Sequence, residues 1–315
     1  MVIGAALHVS GGREFVALVE HASPAWVALA LLLQFGTYLA QGDIWRRVAR
    51  AAGAPLRRTD AFGLSLAKLF ADQALPSAGV SGSLVVARAL RTRGMRDNAV
   101  NAAVLINVAS YHIAYVVALG LALAILITLH RASALIVVAS VLFVAFAVSI
   151  TAAIALLSGR PEARLSRTLR AVRPLRGLVE FMAAADPALA RSVVLLRAAT
   201  LLQIAIVACD AGTMWVLLQS IGVATPVDAV FASFMVSSLV RTLGVVPGGI
   251  GTFEAASVLT LTLTGATVAQ ALSATLLFRG LSFWIPMLPG LWFSRSITAA
   301  SHSARATHLR RRRTR

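Results

Sequence analysis

Four apolar runs, Pro24 to Trp45, Ala99 to Leu129, Ser133 to Leu157 and Ser192 to Ile221, each exceed the roughly 20 residues that a helix needs to cross a bilayer. A fifth run, from about Ala269 to Ser294, is interrupted by Pro286 and Pro289, which predict a kink. The residues are 58% hydrophobic and only 13% charged, whereas soluble domains average about 45–50% and about 25%. The expected fold is therefore an all-α integral membrane protein, a polytopic helix bundle. The 29 basic and 12 acidic residues give a net charge of +17, which in a soluble chain would suggest nucleic acid. Here the arginines fall in short runs between apolar stretches and no interleaved aromatics accompany the C-terminal arginine tail, so they read as topology signals.

Two further apolar stretches, Ala61 to Ala87 and Val227 to Gly265, are broken at their centres by Pro and Gly. Arg46, Arg47, Arg50, Arg57 and Arg58 precede the first, and Arg88, Arg91, Arg93 and Arg96 follow it. The positive-inside rule puts both of its ends in the cytoplasm. Counting spans onward places Gly159 to Arg191, with its seven arginines, in the cytoplasm as well. The tail holding Arg305, Arg310, Arg311, Arg312, Arg313 and Arg315 falls on the same side. Both ends of the second broken stretch then lie outside, where Thr225 to Asp228 and Gly265 to Thr267 carry no Lys or Arg. Two oppositely oriented re-entrant hairpins in matching positions point to an inverted-repeat transporter with its site between the breaks. Ordinary interfacial turns are the plainer alternative.

The breaks read Leu75-Pro-Ser-Ala-Gly-Val-Ser-Gly82 and Val246-Pro-Gly-Gly-Ile-Gly251. Gly79, Gly82, Gly248, Gly249 and Gly251 would permit close backbone approach, and free N–H groups at such turns bind anions. Charges inside apolar segments are costly, at about 2.5–3.5 kcal/mol each, so each needs a partner or a wet cavity. Lys68 and Asp72, four apart, share a helix face, as an ion pair or as a substrate contact. Arg241, Glu254 and Arg279 flank the second break. They read equally as a fold-stabilising Arg–Glu clamp or as a cationic site for a lipid phosphate, with Glu254 orienting an arginine. Asp210 lies inside the fourth run, free to pair with Arg241 or Arg279 or to serve in proton coupling. His112, beside Tyr111 and Tyr115, reads as a satisfied bundle histidine, and Cys209 as core. No catalytic signature, metal spacing or cofactor motif is present, so neither enzyme activity nor a cofactor is expected.

The stretches Pro76-Ser-Ala-Gly-Val-Ser-Gly82 with Arg88-Ala-Leu-Arg-Thr-Arg-Gly94, and Val246-Pro-Gly-Gly-Ile-Gly251-Thr-Phe-Glu254 with Leu277-Phe-Arg279 and Phe283-Trp-Ile-Pro286, resemble the lysylphosphatidylglycerol synthase transmembrane region family, also called the flippase-like domain family. The resemblance runs from about Pro24 to Arg295. It implies movement of a lipid or lipid-linked molecule between leaflets, without the soluble aminoacyl-transfer domain of bifunctional relatives. Two departures stand out: Ser83 replaces an acidic residue common in relatives, and an additional N-terminal span is missing or truncated.

The expectation is a single transmembrane domain over 1–304, with halves at about 24–157 and 192–295 and a basic cytoplasmic tail at 305–315. Its partners would be anionic phospholipid or polyprenyl-phosphate-linked lipid in the cell membrane. A non-transporting scaffold that recruits a lipid- or glycan-modifying enzyme through the arginine-rich loops is the alternative.

Overall fold

A computed structural model describes residues 22–75, 80–159, 173–243 and 246–297. Every regular element among them is helical. In order these are α1 (Pro24–Ala51), α2 (Arg58–Ala74), α3 (Val80–Thr92), α4 (Asp97–Thr128), α5 (Ala134–Leu157), α6 (Arg173–Ala183), α7 (Pro187–Ala190), α8 (Val193–Ser220), α9 (Val227–Leu243), a short 3₁₀ turn (Pro247–Gly249), α10 (Thr252–Thr262) and α11 (Val268–Ile297). Five of them, α1, α4, α5, α8 and α11, are long and apolar enough to cross a membrane. Local chemistry starts them: Pro24 occupies the first turn of α1, and Ser133, Ser192 and Thr267 accept first-turn N–H groups of α5, α8 and α11.

Leu135 and Val194 are 78% exposed and Leu288 is 73% exposed, so the bundle turns large apolar side chains outward. Water would penalise such a surface and hydrocarbon does not. Inside, α8 is the central helix, packed against α1, α4, α9 and α11. The core divides in two. One cluster gathers α9, α10 and α11 around Met214, Leu217, Phe234, Phe253 and Phe278. The other gathers α2, α3 and the first half of α4 around Trp45, Leu64, Leu90 and Ile106.

Hydrogen bonds sort the helix ends onto two faces. At one, Arg93 pairs with Asp60 at 3.8 Å, Arg191 donates to the Ser158 carbonyl at 2.6 Å, and the Asp186 N–H donates to Asn98 at 2.9 Å. Arg47, Arg50, Arg57, Arg58, Arg91 and Arg96 cluster there too, and this is the basic end. At the other, the Ser23 N–H donates to Ser220 at 2.9 Å, Trp215 donates to Thr225 at 3.0 Å, and Arg131 donates to the Leu263 carbonyl. Arg131 is the sole Lys or Arg at this end among the described residues.

Against this frame α2 and α3 form an antiparallel pair whose two outer ends lie at the basic end, and α9 and α10 form one whose outer ends lie at the opposite end. Ser233 and Thr260 join α9 to α10 at 2.6 Å. The first pair is broken between Ala74 and Val80, and the second at the turn that holds Pro247, which withholds an N–H from any continuing helix.

Two differences from the sequence reading are instructive. The stretch taken as one cytoplasmic loop, Gly159 to Arg191, contains α6 and α7, with Val179 and Met182 buried and Arg176 exposed. The kink expected at Pro286 and Pro289 is a π-helical stretch at Gly280–Trp284 just before them, inside a helix that otherwise continues to Ile297. Pro286 has no N–H for the carbonyl four residues back, that of Ser282, and Tyr38 Oη donates to it at 3.2 Å from α1. Tyr38→Phe removes that bond and is expected to cost about 0.5–1.5 kcal/mol, read as a lower unfolding midpoint in detergent.

Candidate functional site at the meeting of two hairpin tips

The first tip is held by one carboxylate. Asp72, in the last turn of α2, takes Lys68 Nζ on Oδ2 at 2.7 Å and the Gly82 N–H on Oδ1 at 2.8 Å. Ser81 returns the favour by donating to the Ala71 carbonyl at 2.7 Å. One first-turn N–H of α3 is thus satisfied across the turn, and the Ala71 carbonyl gains a second donor beside the Leu75 N–H. A Cβ on Gly82 would overlap the Asp72 carboxylate, so glycine is needed there for close approach. Lys68 and Asp72 form the ion pair that was one of the two readings of their spacing.

The second tip uses the same device. Glu254, in the first turn of α10, accepts the Gly251 N–H on Oε2 at 2.6 Å and Arg279 Nε on Oε1 at 2.6 Å. Arg279 Nη2 also donates to the Gly248 carbonyl at 3.0 Å. Its guanidinium lies over the Phe283 ring, 4.1 Å from the centroid, and the residue is 4% exposed. Each tip therefore has a carboxylate with one oxygen on a return-helix N–H and the other on a cation.

The tips touch. Gly248 and Gly249 have φ of 62° and 65°, and a Cβ on Gly248 would lie 2.7 Å from Gln73 Oε1, at the end of α2. A Cβ on Gly249 would strike the stem of Arg241 on α9. The tip side chains are apolar and open: Leu75 is 55% exposed, Val80 57%, and Val246 and Ile250 45% each.

Beside them runs a polar seam that the sequence reading missed except for Asp210. Gln34 Nε2 on α1 donates to Asp210 Oδ1 and to Thr213 on α8, both at 3.0 Å, and Thr37 lies 3.3 Å from the same Asp210 oxygen. Nearer the basic end, Gln41 and Gln203 both donate to Asn107 Oδ1, at 3.0 and 3.3 Å. A signal was available: Gln34 and Gln41, like Gln203 and Asp210, are seven apart within apolar spans, which keeps both members of each pair on one helix face. Arg241 is partly exposed and close enough to Tyr111, Tyr115 and Asp210 to interact electrostatically.

The predicted residues thus fall into groups. Gly82, Lys68 and Asp72 build one tip, and Gly248, Gly249, Gly251, Glu254 and Arg279 build the other. Arg279 occupies an Arg–Glu clamp, with Nε on Glu254 and Nη2 on the Gly248 carbonyl. Arg241 stands at the boundary of the second tip and the seam. Asp210 is held by Gln34 and Thr37, with Arg241 in Coulomb range and no direct ion pair among the described residues. Gly79 lies outside the described residues. His112 Nδ1 lies 2.7 Å from the Val108 carbonyl, and Cys209 is partly buried.

The family model for the lysylphosphatidylglycerol synthase transmembrane region matches residues 1–290. The chain belongs to that family. Together with the five apolar helices, membership makes it a multi-pass integral membrane protein. No curated protein matches the chain.

Proposed function

We propose that this family member moves a lipid or lipid-linked solute between leaflets of the cell membrane without making or breaking covalent bonds in it. The observation that carries the reading is the contact between two broken hairpins that approach from opposite ends of the bundle, with Arg241 at their junction. In this reading they are re-entrant elements of an inverted repeat, and the arginine-rich end, with the C-terminus, is cytoplasmic. Irregular backbone at membrane depth is tolerated where protein or a polar cavity satisfies it, and the Asp72 and Glu254 caps provide that. The open apolar tips suit an acyl or polyprenyl chain. Arg241 suits the phosphate of an anionic phospholipid or polyprenyl-phosphate carrier.

The test is leaflet accessibility in proteoliposomes holding fluorescent phosphatidylglycerol or a polyprenyl phosphate. Wild-type protein is expected to speed transfer over empty vesicles. Arg241→Gln is expected to slow it about tenfold or more, because a hydrogen bond to a charged group is worth roughly 1.5–3 kcal/mol. Equal rates with and without protein for both lipids would overturn the proposal.

A further inference from the structure

Asp210 lies about 15 Å along α8 from Ser220, well inside an apolar span, where an aspartate is expensive to keep. One oxygen, Oδ1, accepts from Gln34 and faces Thr37. The second accepts no hydrogen bond among the described residues, and the residue is partly exposed. Next to it Gln34, 3% exposed, has both amide hydrogens engaged while its Oε1 is buried without a partner. An acceptor at that depth is costly unless a donor comes to it. An open carboxylate oxygen beside an orphaned amide oxygen is a site for something that brings a hydrogen. The clamp at Glu254 and the pair at Lys68 and Asp72 differ, because both oxygens of each carboxylate are engaged there.

The groups around Asp210 define what the site does. Tyr38 on α1, Cys209 on its own helix, Tyr115 on α4 and Arg241 on α9 lie within electrostatic range of Asp210, and Tyr111 on α4 lies within range of Arg241. Arg241 is the one full positive charge among these, and it is also the residue proposed to hold a head-group phosphate. Carboxylate and phosphate therefore compete for one guanidinium.

We infer that Asp210 is a proton-binding site whose occupancy sets whether Arg241 is available to an anionic head group. A hydronium ion gives its proton to the open oxygen, leaving water; the new O–H can donate to the Gln34 amide oxygen, and Arg241 loses its internal counter-charge. Release of the proton restores the attraction and favours departure of the anion. The same linkage makes the anion raise proton affinity at Asp210 by an equal factor. The inference rests on the transport reading for the anion's identity, and the proton site itself does not.

The experiment uses the purified full chain in vesicles carrying a trace of fluorescent phosphatidylglycerol, with two readouts. The first is pH-difference infrared spectroscopy. Wild type and Arg241→Gln are expected to show a carboxylic-acid band that Asp210→Asn lacks. The second is lipid binding across pH. Wild type is expected to bind at least about fivefold more tightly on acidification, the lower end of typical coupling. Asp210→Asn, which keeps the acceptor for Gln34, is expected to bind tightly and evenly at every pH. A band unchanged in Asp210→Asn, wild-type pH dependence in that variant, or affinity set by sodium rather than pH would overturn the inference. An Asp210 band with no lipid bound by any form would overturn the transport reading and leave the proton site standing.

Discussion

Glu254→Ala is expected to destabilise the protein by about 3–5 kcal/mol, the usual cost of stripping the partner from a buried charge. Two losses combine. Arg279, 4% exposed, would keep its guanidinium among Phe283, Phe253 and the Gly248 carbonyl with no carboxylate beside it. The Gly251 N–H, at the mouth of α10, would lose its acceptor as well. The measurement is denaturant or thermal unfolding in detergent, with Glu254→Gln/Arg279→Met as companion. Because replacing a buried ion pair by apolar groups is often neutral, the double variant is expected to recover most of the stability. If Glu254→Ala unfolds at the wild-type midpoint, the clamp contributes nothing. If the double variant is as unstable as Glu254→Ala, the apolar replacement fails to fill the site.

Gly248→Val is expected to cost about 2–6 kcal/mol, combining roughly 1–3 for a strained backbone with roughly 1–3 for overpacking. Its φ of 62° is a region β-branched residues avoid, and its Cβ would lie 2.5 Å from the Phe283 ring and 2.7 Å from Gln73 Oε1. Gly53→Val is the control, because Gly53 has a φ of 75° and nothing within 4 Å of an added Cβ. It shares the backbone strain and lacks the collision. The difference between the two variants, measured by unfolding in detergent, isolates the packing around Gly248, against Phe283 of α11 and against Gln73 of the first tip. A difference near zero would mean the tips do not press on each other at Gly248.

Much of this was legible in the chain. The five spans agree with the apolar runs to within a few residues at most ends, and the larger exception is α1, which continues past Trp45 to Ala51. The pair Lys68 and Asp72 was visible because residues four apart must share a helix face. Glu254 with Arg279 was visible only as two equal possibilities, since 25 residues and a turn separate them. Gln34 with Asp210, 176 residues apart, was not visible as a contact, although seven-residue spacing marked the faces. The kink expected at Pro286 and Pro289 takes the form of a π-helical stretch just before them for a related reason: proline fixes which bonds cannot form, and the neighbouring helix determines how the strain is spread.

Taken alone, the order of residues determined which segments are apolar enough to span, where helices must break, and which loops hold the arginines. These follow from sums over neighbouring residues, and hydration and backbone sterics act at that range. The tertiary structure decided which charges are spoken for. Helix rotation and packing buried Arg279 against Glu254 and left Arg241 partly open at a junction. They also put Asp210 beside an unpartnered amide oxygen. A charge is neutralised by whatever lies within a few ångströms, and at that range the partner comes from another helix.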